Sequence, residues 1–274
     1  MLFFITGVSA GLGRAAAEAA LADGHIVVGT LRHADQITAF EALAPGRAYG
    51  RLLDVTDEGA VVRVIDGVES DIGAIDVLIN NAGYGHEGTV EESPISELRR
   101  QFDVNLFGAV GVIKAVLPYM RGRRAGRILN ISSMGGIMTL PGLAYYHGSK
   151  FALEGISESL GKEVKGFGIH VTAVEPGSFR TEWAGRSLNR QERTIADYDE
   201  IFGPIRERRR NYSGNQPGDP AKAARAMLEI VKVDEPPAHL LLGRDAVQLV
   251  REKLGQLCAE INEWERLSLS TDFD

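Results

Sequence analysis

A tyrosine and a lysine four residues apart, in Tyr146-His-Gly-Ser-Lys150, are the side chains of this sequence best placed to move a proton. On a helix, residues at that spacing share a face, so a phenol and an ammonium can open into one pocket. An ordinary tyrosine titrates near about 10 and is a poor base at neutral pH, and a neighbouring cation favours its phenolate. The pair therefore suits general acid/base chemistry at a hydroxyl or carbonyl oxygen. Tyr145 stands beside it, but four residues after Tyr145 comes Ser149, so only Tyr146 has the cation in register. An acid/base pair moves no electrons. The single cysteine, Cys258, can form neither an internal disulfide nor a multi-cysteine metal site. His25, His33, His86, His170 and His239 lack metal-ligand spacing, and His147 reads as an exposed helix residue, so no catalytic metal is expected. Any redox chemistry must come from an organic cofactor.

A site for one lies at the start of the chain. The apolar run 2–5 meets Thr6-Gly-Val-Ser-Ala-Gly-Leu-Gly13 and then an alanine-rich helical pattern. Gly7, Gly11 and Gly13, with Ser9 and Leu12 between them, let the backbone turn tightly and approach a pyrophosphate, and the helix N-terminus behind them favours negative charge. A glycine trio also serves as a plain strand-to-helix turn. Its position at the first such turn of an alternating chain favours the nucleotide.

Short apolar runs at 2–5, 25–30, 49–53, 77–80, 126–131, 170–175 and 239–242 alternate with helical patterns at 14–23, 58–72, 95–120, 144–166 and 220–231. That alternation predicts βαβ units, a parallel sheet of about seven strands and a three-layer, doubly wound α/β architecture. From about 184 to 220 the alternation lapses into an arginine-rich segment, either a flap over a pocket or a solvated helix and loop. Beyond 245 a charged amphipathic tail carrying Trp264 reads as a packed helix, a partner surface or a frayed end. Residues 1–245 are expected to form one domain, followed by that tail. With 44% hydrophobic and 24% charged residues the chain can bury a core, which excludes general disorder. A net charge of -7 excludes bulk attraction to nucleic acid or an anionic membrane. The opening run is too short for a secretory signal and no apolar stretch reads as a span, so a cytoplasmic location is expected.

The glycine spacing resembles that of the short-chain dehydrogenase/reductase family, and further motifs agree in order along roughly residues 1–245. The resemblance implies a Rossmann-type oxidoreductase. In it Tyr146 exchanges a proton with the substrate oxygen, Lys150 also binds the nicotinamide ribose, and Ser133, thirteen residues before the tyrosine, holds the substrate oxygen. Asn105, mid-helix where asparagine is mildly unfavourable, matches the residue that keeps a relay water. Ser132 would only satisfy backbone groups at the strand end. Asn81, Ala82 and Gly83 support the turn under the adenine side, Asp54 and Val55 contact the adenine, and Pro176, Gly177 and Thr181 lie beside the nicotinamide. After the second strand an acidic residue would select NAD, whereas Leu31 takes that position here and Arg32 follows, a pairing suited to a 2′-phosphate. The expected cofactor is NADP(H) rather than NAD(H). His86, Met134, Gly135, Leu140 and Trp183 suggest a mostly apolar carbonyl or alcohol pocket, and the flap arginines leave an acidic substrate open. A dinucleotide-sensing protein without turnover is the alternative, but it would be expected to have lost Tyr146, Lys150 or Ser133. Family members commonly form dimers or tetramers through two long helices, here about 95–120 and 144–166.

Overall fold

The computed structural model describes residues 1–273. In chain order the elements are β1 (Leu2–Ile5), α1 (Gly11–Ala22), β2 (Ile26–Leu31), α2 (Ile37–Glu41), β3 (Ala48–Leu52), α3 (Glu58–Asp71), β4 (Val77–Asn80), β5 (Gly85–Glu87), α4 (Ile95–Phe102) and α5 (Ala109–Arg123). They continue with β6 (Gly126–Ile131), α6 (Ala144–Val164), β7 (Ile169–Pro176), β8 (Leu188–Arg190), α7 (Asp199–Tyr212), α8 (Pro220–Val231), β9 (His239–Leu242) and α9 (Arg244–Leu269). Seven strands form a parallel sheet in the order β3-β2-β1-β4-β6-β7-β9.

The order follows from which strands are buried on both faces. All of β1 and β4 is buried, because alternate residues of the same strand enter opposite core layers. Phe3, Ile5 and Val27 face α1 and α8 through Ala16, Ala20, Met227 and Leu228. Phe4, Val28 and Leu78 face the opposite layer, where Ile65 of α3, Val112 and Val116 of α5 and Leu160 of α6 cover them. The chain winds outward from β1 to β3 and then returns to the other side of β1. A crevice therefore opens beyond the carboxyl ends of β1 and β4, where a doubly wound sheet takes a ligand.

Three departures from the sequence pattern matter for the site. The helix expected over 95–120 is α4 and α5 joined by a π-helical turn at Asp103–Gly108, which holds Asn105. By length and composition the 95–123 run could cross a membrane, yet Val112, Ile113, Val116 and Met120 are buried on the sheet. The arginine-rich segment is ordered as β8 and α7, and β8 pairs in parallel with β5 to make a second, two-stranded sheet. The tail is a single helix, α9, whose first two turns are anchored by buried Ala246 and Val250.

Candidate active site

The glycine turn after β1 and the turn after β4 are one hydrogen-bonded unit. Asn81 Nδ2 donates to the carbonyls of Thr6 and Gly7, both at 2.9 Å. The Thr6 hydroxyl accepts the N–H groups of Asn81 and Ala82 at 2.9 Å each. Gly7 donates its N–H to Thr30 Oγ1 at 3.0 Å, which ties in β2. Gly7 and Gly11 adopt φ of +73° and +65°, a region that disfavours any side chain. At Gly13 the requirement is space, since a Cβ there would lie 2.2 Å from Asn81 Nδ2. The helix cap is Ala10, which offers no side-chain acceptor, and no acidic residue sits in the first turn, so the positive end of α1 is left for an anion.

At the ends of β2 and β3, Arg32 and Asp54 are exposed neighbours. The Asp54 carboxyl lies below its ordinary range because it accepts the Thr56 backbone N–H, with the Thr56 hydroxyl and the Arg32 charge adding to the effect. Val55 is buried, and it faces Gly108 so closely that a Cβ there would lie 2.6 Å from it. On the far side of the crevice, the turn at Pro176 and Gly177 is locked by α9. Gly177 N–H donates to Leu242, and Asp245 accepts the Ser178 N–H at 2.7 Å. A Cβ at Gly177 would meet Asp245 at 2.3 Å. Thr181 lies near Gly11, and both line a cavity of about 380 Å³ with Arg180, Glu182, Ser213 and Pro220. Unfilled helix N–H groups and a close glycine approach together fit a dinucleotide, with Arg32 and Asp54 exposed at the ends of β2 and β3.

Tyr146 and Lys150 occupy the first two turns of α6 and are both buried. Lys150 Nζ donates to the carbonyl of Ile131 at 2.7 Å and stands 5.9 Å from the Tyr146 ring centroid. Burial pushes the Tyr146 phenol up to about 12, against the effect of the Ser133 hydroxyl. Burial pulls Lys150 down to about 8, opposed by the charge of Glu154 one turn further on. The phenol is thus held protonated, and the lysine carries its charge only below about 8. Ser133 Oγ accepts the Gly135 N–H at 3.0 Å and lies 3.5 Å from the Pro176 carbonyl, so it spans the space between α6 and the turn after β7. Asn105 is buried with its amide fully used. It pairs with both backbone groups of Tyr84 and donates to Ser149 Oγ at 3.1 Å. Gly83 keeps the space between Asn105 and Lys150 open, for a Cβ there would lie 3.1 Å from Asn105 Oδ1.

The 184–220 segment closes over this set. Trp183 packs on Tyr146 with ring centroids 5.1 Å apart, and Leu188 and Leu143 complete the cluster. Three of its arginines, Arg190, Arg193 and Arg209, fasten the segment to the body. Arg190 and Arg209 each reach a carboxylate oxygen of buried Glu87 at 2.9 Å. Arg193 pairs with Glu92. Burial would raise that carboxyl, but the N–H groups of Ile195 and Thr194, the Thr89 hydroxyl and Arg193 outweigh it and hold it at about 2.

Several polar residues differ from their sequence reading. His147 is buried, not exposed. Its Nε2 accepts the Leu140 N–H at 2.9 Å, and its Nδ1 lies 2.8 Å from the Gly135 carbonyl. His86 is no pocket residue, since it is buried, bonded to Ser93 and stacked on Tyr145. The Ser132 hydroxyl serves no backbone group. His239 joins two buried carboxylates, with Nδ1 at 2.7 Å from Glu175 and 3.3 Å from Glu154, and the three donor atoms lie within 4.8 Å of one another. Burial raises both carboxyls, Glu175 to about 7, so this cluster shares protons behind Lys150. Thr6 and Thr30 are site residues that motif reading missed, because a threonine in a buried strand reads as packing.

A nucleotide crevice, a buried tyrosine–lysine pair and a serine between them define an oxidoreductase of the doubly wound class. The profile of the short chain dehydrogenase family matches residues 2–192, and the chain belongs to that family. It is 40% identical over 272 residues to oxidoreductase BOA17 of Botryotinia fuckeliana, covering 98% of each chain. It is 37% identical over 247 residues to a 3-ketodihydrosphingosine reductase of Bacteroides thetaiotaomicron, covering 88% of this chain and 87% of the relative. The crystal structure of a short-chain dehydrogenase from Streptomyces avermitilis superposes with a TM-score of 0.93 at 42% identity, covering 99% of both chains.

Proposed function

We propose that the protein interconverts a secondary alcohol and a ketone or aldehyde with NADP(H). The observation that carries this reading is the convergence of Ser133, Tyr146 and Lys150 beneath Trp183, opposite the Pro176–Gly177 turn. A bound nicotinamide would supply or take the hydride. In the reducing direction Ser133 and Tyr146 hold the carbonyl oxygen, and Tyr146, held protonated by burial, gives its proton as charge develops there. Lys150 binds the ribose and places positive charge near the phenol, and Asn105 fixes the backbone around Tyr84 beside that lysine. Gly7, Ser9, Gly11, Leu12 and Gly13 hold the pyrophosphate, Asp54, Val55, Asn81, Ala82 and Gly83 the adenine side, and Gly177 and Thr181 the nicotinamide side. Arg32 supports the choice of NADP(H), since it stands exposed at the end of β2 with no acidic residue at Leu31.

The cluster of Trp183, Leu188 and Leu143 over the phenol favours an apolar ketone, and the name of the Bacteroides relative points to a keto group on a long-chain molecule. The test is a panel of ketones and aldehydes, long-chain ketones included, followed by NADPH absorbance with NADH in parallel. Tyr146→Phe should lower kcat on the best substrate by about 10²–10⁴ with nucleotide binding kept. Turnover unchanged in that variant refutes the mechanism.

A further inference from the structure

From Arg251 to its end at Leu269 every residue of α9 is exposed except the half-buried Lys253, so about five turns of helix stand in solvent. The sequence of that helix is not polar all round. Val247, Val250, Leu254, Leu257, Ile261 and Trp264 advance by alternating steps of three and four residues, the seam of a two-helix coil. Val250 is buried against the body, but from Leu254 onward the seam is bare, with Ile261 and Trp264 each 57% exposed. In a protein most helical stability comes from packing an apolar face, and a contiguous exposed apolar stripe marks an interface.

We propose that α9 pairs antiparallel with α9 of a second copy of this chain. The first argument is charge along the flanks of the seam. Arg251 and Lys253 flank its start, whereas Glu260 and Glu265 flank its end. A parallel pair would set Glu260 against Glu265 of the partner subunit twice, acid on acid. An antiparallel pair sets Arg251 against Glu265 of the partner subunit twice, and leaves only Glu260 meeting its own copy near the axis. That register stacks Leu254 on Trp264 of the partner subunit and Leu257 on Ile261 of the partner subunit.

The second argument is a groove of about 670 Å³ at the base of α9, lined by Gly243, Arg244, Val247, Gln248, Arg251 and Glu252. In the same register it receives Leu269 of the partner subunit, an exposed apolar residue at the far end of the helix. One register thus covers the seam, pairs the charges and fills the groove. The bare side chains offer roughly 500 Å² per copy, on the order of 1,000 Å² for the pair, which meets the lower bound for a biological interface.

The register also brings the Cys258 residues of two copies together across the axis, which supplies the test. The full-length chain, treated with a short bis-maleimide, should yield a covalent dimer that Cys258→Ser and Ile261→Glu both abolish. In sedimentation velocity, Ile261→Glu should halve the mass of the assembly. Its helical circular dichroism should fall by no more than the turns beyond Arg251, because Ile261 is exposed and touches nothing in the body of the fold. Arg251→Glu and Glu265→Arg should each weaken association by about fivefold, and the double variant should restore it. An unchanged mass in Ile261→Glu together with no Cys258 cross-link overturns the pairing. Failure of the double charge reversal to restore association overturns the antiparallel arrangement.

Discussion

Replacing Glu87 by glutamine should loosen the segment that covers Tyr146. The carboxylate is fully buried at the end of β5, and its two oxygens accept Arg190 Nε and Arg209 Nη1 at 2.9 Å each. Glutamine keeps the shape but offers one acceptor oxygen to two guanidinium groups and turns an N–H₂ toward one of them. Breaking a buried ion pair from one side costs about 3–5 kcal/mol. Here the arginine side chains remain 21% and 17% exposed, so water recovers part of that cost. A loss of about 2–3 kcal/mol follows, between the fully buried case and the value of under about 1 kcal/mol for a surface pair. At about 2–4 °C per kcal/mol for a chain of this size, the melting temperature should fall by about 4–12 °C. If the segment opens locally instead, the loss appears as faster proteolysis within 184–220 at an unchanged melting temperature. In both cases KM for a ketone should rise more than kcat falls, because Trp183 and Leu188 lean on the phenol while the proton-transfer groups are untouched. A variant with wild-type melting, proteolysis and KM would refute the reasoning that the arginines hold this segment shut.

Three further outcomes follow from the site. Arg32→Glu should lower the ratio of kcat/KM for NADPH over NADH by roughly 10–100-fold, the worth of one or two hydrogen bonds between charged groups, and an unchanged ratio sinks the cofactor assignment. In the reducing direction kcat/KM should decline as pH rises through about 8, where Lys150 loses its charge while Tyr146, at about 12, keeps its proton. Glu154→Gln removes a charge that raises Lys150, so the break should move to lower pH, and a flat profile across this range contradicts the assignment. Gly13→Ala should abolish nucleotide binding in a titration, because the new methyl lies 2.5 Å from the Gly7 carbonyl and 2.2 Å from Asn81 Nδ2.

What could be read from the sequence depended on how local the cause was. The bounds of β1 and β4 follow their apolar runs because strands covered on both faces need apolar residues at nearly every position, and those of β6 and of the partly exposed edge strand β9 coincide with their runs as well. Tyr146 and Lys150 were legible because helix periodicity alone puts them on one face. The π turn at Asp103–Gly108 was not, since its composition is that of an ordinary helix and its extra residue shows only in the hydrogen-bond ladder. The β5–β8 sheet was hidden for a different reason. Three-residue strands carry no period, and their partners lie about a hundred positions apart. The same separation hid the arginine anchors, for Glu87 reads as a surface carboxylate until Arg190 and Arg209 fold onto it.

His147 shows how a catalytic motif can conceal a structural part. Flanked by Tyr146 and Gly148, it reads as solvent-facing, yet α6 turns it into the loop that carries Ser133. The Leu140 N–H can only donate, so Nε2 must accept, and the imidazole proton therefore sits on Nδ1, from which it is given to the Gly135 carbonyl. Burial lowers the imidazole's affinity for a further proton, so this neutral tautomer persists in the fold while the unfolded chain protonates near about 6.5. The stabilisation is complete above that value and is lost as pH falls below it. Protonation would take away the acceptor that holds Leu140 and release one side of the loop. The residue inside the Tyr-x-x-x-Lys spacing thus positions the serine thirteen places upstream of the tyrosine, a coupling visible only once both ring nitrogens have been assigned their partners.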